Sequence, residues 1–311
     1  MPPISLDYLN ALAASSLDAA ARLDAAGWLA GADETGAAYF SRVRQAQAAY
    51  QQQSAAVARN EKIVWADDGV EGLPENFIAP EILAAANTGL YAFQLTEALG
   101  FYCPRALGLL WGGCAFYDEE RRTRFFLLRA AFRQKKKFLR LYAREELLAH
   151  ESCHLARQPL ADDRFDEFFA YQTSASPLRR YLGSCFTRPT DALWILLPSL
   201  AVLAAAIAQL FIVLPAEPFF LALFLGAGYL LARVRRVRQT IRRAKKNLLL
   251  AGVGQPLAVL FRCVAPEISA LAKMRSTGAT RAYLADRVAK NFRWQVINRR
   301  FFGSELKIET F

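Results

Sequence analysis

The chain holds only two histidines, and both lie in the pentad His150-Glu151-Ser152-Cys153-His154. Four residues apart on a helix, their imidazoles share one face and can present nitrogens to a single metal ion, with Glu151 projecting beside them within reach of a reacting water. The chemistry such a set suits is metal-assisted hydrolysis. In a histidine-rich chain the spacing would mean little; with two histidines in 311 residues, chance is a poor account of it.

A third ligand must be Asp, Glu or Cys, because no histidine remains. The run Asp166-Glu167-Phe168-Phe169-Ala170-Tyr171 begins twelve residues beyond His154. Glu167 is followed three places on by the small Ala170, which would let its helix pack closely on the metal helix. Glu167 is therefore the leading ligand, with Asp166 next and Asp163 behind it, since carboxylates at a helix start also serve as caps. Tyr171 shares the face of Glu167 and either offers a phenol to a developing oxyanion or packs in the core. Glu146, one turn before His150, either orients an imidazole or is an exposed helix charge. Arg157 suits a salt bridge to Asp163 or Asp166, and Cys153 reads as small packing turned away from the ligands.

HESCH with a downstream E-x-x-A resembles the gluzincin class of zinc metallopeptidases, over about residues 107–175. The resemblance implies Zn2+ held by His150, His154 and Glu167, and peptide-bond hydrolysis with Glu151 as general base. Two departures stand out. The twelve residues between His154 and Glu167 form a shorter gap than in thermolysin-like enzymes, and Tyr171 follows Ala170 where membrane-bound members favour Ala-Asp.

The elements that must position these groups follow from pattern. Gln134 to Arg157 has no Gly or Pro and predicts one long helix ending in the pentad, with Pro159 and Asp162-Asp163 closing it. A short helix over 164–176 should carry Glu167, ending at Pro177. Before them, two apolar, aromatic-rich runs from Leu107 flank the charged stretch Asp118 to Arg122, a β-hairpin pattern. Trp111-Gly112-Gly113 and Ala115 to Tyr117 would give a strand whose free edge pairs with an extended peptide, or a plain bulge or turn. Residues 5–60 read as two helices broken at Gly31 to Gly36, with Thr35 a cap, and 61–78 as strand and loop leading to a helix at about 79–99.

Ala192 to Ala216 carries no charge and is long enough to cross a bilayer. Leu214 to Val234 makes a second span after the tight Pro215-Ala216-Glu217-Pro218 turn, so the two form a transmembrane hairpin. Basic residues flank it on both sides, eight of them between Arg233 and Lys246, which places both flanks in the cytoplasm. The net charge of +11 is concentrated there, favouring membrane lipids over nucleic acid as partner. Five irregularly spaced cysteines without a C-x-x-C pair read as reduced thiols. MPPISLDYLNALAAS lacks the order of a secretory signal.

The expected fold is α+β and zincin-like, mainly helical, with a small antiparallel β-hairpin or sheet beside the active-site helix and a two-helix transmembrane hairpin. Four regions are expected: helices over 1–60, the catalytic unit over 61–188, the hairpin over 189–234 and a basic helical tail over 235–311. The expected function is membrane-anchored zinc-dependent peptide hydrolysis of a peptide or membrane-associated protein. The rival is a zinc-binding or lipid-binding scaffold without proteolysis.

Overall fold

A computed structural model describes residues 16–65, 70–79, 82, 89–95, 97–103, 112–118, 123–138 and 142–302. Helix accounts for 65% of the structure, so the mixed fold is helix-dominated, with small sheets. Helices α1 (Leu17–Ala25) and α2 (Gly36–Ala58) lead the described chain. Thr35 caps α2 as its pattern implies, its hydroxyl accepting from the Ala38 N–H. Strands β1 (Ile63–Trp65) and β2 (Val70–Gly72) pair antiparallel.

The main sheet has three strands in the order β3 (Leu99–Cys103), β5 (Thr123–Arg129), β4 (Gly113–Asp118). β4 and β5 form the expected antiparallel pair, while the charged turn residues 119–122 and the run 104–111, with Trp111, lie outside the described residues. β3 runs parallel to β5, so the sheet is mixed. The helix expected at 79–99 is not found in 89–98, and Leu99 begins a strand; most of 80–88 lies outside the described residues. The reason is local: Gly89 and Ala92 both adopt positive φ, which no helix accommodates, and the aromatic run that follows favours a pleated surface. Being central, β5 is buried on both faces. Phe126 and Leu128 join the main core, and Phe125 and Leu127 pack with Leu99 and Phe101 on the other side.

A two-residue ladder, β6 (Lys137–Phe138) with β7 (Tyr142–Ala143), stands where the long helix was expected to begin. Helix α3 starts only at Arg144 and runs to Arg157. The charges explain the shift. Arg133, Lys136, Lys137, Arg140 and Arg144 would stack like charges at i, i+4, whereas Glu145 and Glu146 belong in a first turn, where the helix dipole favours acids. After a Pro159 turn come α4 (Asp166–Gln172) and α5 (Pro177–Leu182), so Pro177 begins a helix and does not end one.

Two helices are long and apolar enough to cross a membrane. The first is α6 (Leu193–Ala208) with its preceding turn, and the second is the 34-residue α7 (Glu217–Leu250). Leu197, Leu203, Phe224 and Leu225 on them are more than half exposed, the lipid-facing character a bilayer would cover. α7 does not stop at the basic run. Val234, Val237, Ile241, Ala244 and Leu248 recur at helical spacing on its buried face, so its second half belongs to the core while Arg235, Arg236, Arg242 and Arg243 face outward.

Helices α8 (Pro256–Phe261), α9 (Ala265–Lys273), α10 (Thr277–Lys290) and α11 (Phe292–Phe301) complete the chain. They share one apolar core with α3, α4 and the sheet. Paired charges pin this core: Arg262 reaches Asp24 of α1 at 2.8 Å, and Glu267 accepts from Arg293 at 2.9 Å and the Trp294 indole at 2.6 Å.

At Gly226 the spans cross so closely that a Cβ would sit 2.1 Å from the Trp194 carbonyl oxygen, whereas at Gly228 it would meet nothing within 4 Å. Gly226→Val should therefore destabilise the detergent-solubilised protein by about 1–3 kcal/mol. Gly228→Val should stay within about 0.5 kcal/mol of wild type by the same thermal melt.

Candidate metal centre

The pentad lies in the last two turns of α3, a helix buried almost all round despite its polar sequence. Leu148, Leu155 and Ala156 pack into the core, and the polar side chains gather on the remaining face. His150 and His154 turn their Nε2 atoms toward each other, 3.0 Å apart. Glu167 completes the set from α4, with Oε2 3.7 Å from His150 Nε2 and Oε1 3.7 Å from His154 Nε2. All three ligand atoms fall within 4.8 Å of one another. Donors on a tetrahedral ion with bonds of about 2.0–2.2 Å lie roughly 3.3 Å apart, so this spacing fits one first-row cation with little movement. His150, His154 and Glu167 form a group that could hold a metal ion.

The connection between the two helices explains how so short a gap brings Glu167 back. Residues Gln158–Leu160 form a single tight turn, and Ala161 takes a left-handed conformation with φ 48°. Asp162 then folds the chain on itself, its Oδ1 accepting from the Arg164 N–H at 3.0 Å and the Phe165 N–H at 3.3 Å. Ala170 is fully buried and its carbonyl accepts from His150, so the small residue three places after Glu167 does permit close packing.

Asp166 and Glu167 separate by role. Asp166 does not face the ion position; its Oδ2 pairs with His154 Nδ1, and its Oδ1 accepts from Arg157 Nε at 2.9 Å. A carboxylate on the far nitrogen fixes the ring and its tautomer, leaving Nε2 for a metal. Arg157 is almost fully buried, donating also to Asp162 Oδ2 at 2.5 Å and to the Phe261 carbonyl. Its partners are thus Asp166 and Asp162, and not Asp163. Asp162 is the residue that sequence reasoning missed; its only signal was the acid-rich ADDRFDE run.

Glu151 is buried against the sheet, where the backbone N–H of Ala115 in β4 bonds its carboxyl. Gly113 matters for this approach, because a Cβ there would stand 2.8 Å from Leu128 and 3.2 Å from Leu147 of α3. The glycines at 112 and 113 therefore let β4 approach the metal helix. Tyr171 borders the group with its ring edge-on to His150, centroids 4.6 Å apart, and Gly183 fits beneath that ring. Glu146 neither orients an imidazole nor stands exposed. It accepts from the Ser174 hydroxyl and from Arg179 at 2.8 Å, tying α3 to α5. Cys153 packs in the core as expected.

Burial dominates the electrostatics of the group. Burial pushes the Glu151 carboxyl up to about 7, partly opposed by His154, and also raises Glu167. Burial and the neighbouring His154 hold His150 well below the ordinary histidine range. His154 goes the other way, to about 10: burial opposes its charge, but Asp166 outweighs burial. No protein-family model, curated protein or solved structure matches the chain.

Metal analysis of purified variants tests the division of roles. Glu167→Ala and His154→Ala should lose nearly all bound metal. Asp166→Asn should keep the site but weaken it ~10–100-fold. The reverse order for Glu167 and Asp166 would make Asp166 the ligand.

Proposed function

We propose that the chain is a membrane-anchored zinc metallopeptidase of gluzincin type, with a zincin-like arrangement of metal helix and edge strand. The observation that carries this reading is the position of Glu151, the one buried carboxylate that lies between the three-donor group and the edge strand β4. Two imidazole nitrogens and one carboxylate oxygen are a donor set suited to hydrolytic zinc. When bound, zinc supplies Lewis-acid activation of a water and of the scissile carbonyl.

The protein groups then divide the remaining work. His150, His154 and Glu167 hold the ion, and Asp166, backed by Arg157, keeps His154 in the tautomer that offers Nε2. Glu151 takes a proton from the attacking water and delivers it to the leaving amine. Burial raises this carboxyl above the ordinary carboxylate range, which suits it to carry a proton in both transfers. Tyr171, at the rim of the group, offers its phenol to the oxyanion that develops on the carbonyl. Among the described residues β4 has β5 on one side only, so its other edge offers backbone groups to an extended substrate chain.

The apolar helices α6 and α7 anchor this unit as a hairpin, with both flanks cytoplasmic by the distribution of arginine and lysine. Substrates are peptides or membrane-associated proteins presented at that surface. In sealed vesicles, an external protease should digest the body only when the cytoplasmic face is outward.

Hydrolysis of an unstructured protein by wild type and Glu151→Gln decides the chemistry. The variant should retain its metal and lose about 10²–10⁴-fold in rate. Equal rates with metal still bound would sink the peptidase reading and favour a zinc-binding scaffold.

A further inference from the structure

A second polar site lies at the foot of the apolar hairpin. A cavity of about 540 Å³ opens between the Ala161 to Arg164 loop, Thr187 and Arg188 before α6, Tyr229 to Val237 on α7, and the start of α9. That volume falls within the ~300–1,000 Å³ of small-ligand pockets. We propose that this cavity binds the phosphate headgroup of an anionic phospholipid. The proposal rests on α6 and α7 spanning a bilayer and is independent of the metal chemistry.

Charge points to an anion. Six charged side chains line the cavity, and two of them are already satisfied: Asp162 by Arg157 at 2.5 Å, and Arg233 by Asp191 at 2.6 Å. Among the described residues, no ion pair engages Arg164, Arg188 or Arg236, and the only other carboxylate in the lining is Asp163. Three guanidinium groups therefore line the cavity against one carboxylate, and their planar forks match phosphate oxygens. All three are exposed, so binding need not break an existing pair to recruit them.

Depth points to a lipid and not to a soluble anion. Trp194 of α6 and Tyr229 of α7 pack with ring centroids 5.0 Å apart, both about half exposed, the pairing expected where hydrocarbon gives way to headgroups. At 1.5 Å per residue, Arg233 and Arg236 lie roughly 6 and 10 Å farther along α7 than Tyr229, within or just beyond a headgroup layer of about 5–7 Å. Tyr229, Val237, Val264 and Ala265 add apolar wall beside the arginines. A phosphate joined to a glycerol backbone satisfies both kinds of surface, and a free phosphate satisfies only one.

The test is native mass spectrometry of the full chain in an uncharged detergent, titrated with phosphatidylglycerol, phosphatidylcholine or inorganic phosphate. Wild type should retain one phosphatidylglycerol in preference to phosphatidylcholine. Arg188→Gln with Arg236→Gln should weaken that retention at least about tenfold, the loss of one charge-assisted hydrogen bond. Arg242→Gln with Arg243→Gln, exposed on the same helix but outside the cavity, should leave it unchanged. Arg164→Gln alone, on the opposite wall, should also weaken it, which keeps the test sound if the double variant folds poorly. Equal losses in the two arginine pairs would overturn the site in favour of a diffuse basic surface. Displacement by equimolar inorganic phosphate, or equal retention of phosphatidylcholine, would also overturn it. Release of wild type from membranes by alkaline carbonate would remove the membrane reading itself; a firmly anchored chain that retains no lipid removes this proposal alone.

Discussion

The buried guanidinium of Arg157 is the constraint on which the rest of the arrangement hangs. An arginine removed from water is costly unless its donors are met, and here two carboxylates and a backbone carbonyl meet them. Phe169 lies against the face of the guanidinium at 4.5 Å. Each partner has a second task. Asp162 turns the chain between α3 and α4, Asp166 holds the His154 ring, and Phe261 brings the C-terminal helices onto the metal helix. The geometry of the metal group is thus the by-product of satisfying one buried charge.

The sheet contributes in a similar way. β5 is buried on both faces and paired along both edges, whereas β4, its outer neighbour, pairs along one edge only among the described residues. Gly113 lets β4 settle against Leu147, and the same approach brings the Ala115 N–H to Glu151. Packing and acid–base character are therefore coupled at this strand. The burial that raises the carboxyl is the burial that joins helix to sheet.

Much of the site was legible in the sequence because its ligands are local. The i, i+4 histidines, the Glu167 to Ala170 spacing and the apolar hairpin each follow from one-dimensional periodicity. Glu167 ranked above Asp166 by the small residue three places on, but the task of Asp166 was not legible, since adjacent acids at a helix start look alike until a partner such as Arg157 claims one of them. Glu146 was misread for the same reason: its partners are Ser174, in the link between α4 and α5, and Arg179 on α5. The start of α3 was placed too early because absence of Gly and Pro permits a helix without requiring one, and like charges opposed it. β3 was hidden because its parallel pairing with β5 is a long-range contact that leaves no local trace.

The Phe261 carbonyl has a consequence in time. It accepts from a residue 104 positions earlier, and both apolar helices intervene. During synthesis the histidines and Glu167 are all present before the hairpin is made, but the acceptor that completes the Arg157 cage is not. A chain caught before its C-terminal helices return would hold the ligands without their brace. Order of assembly thus makes the braced form of this group a property of the finished chain alone.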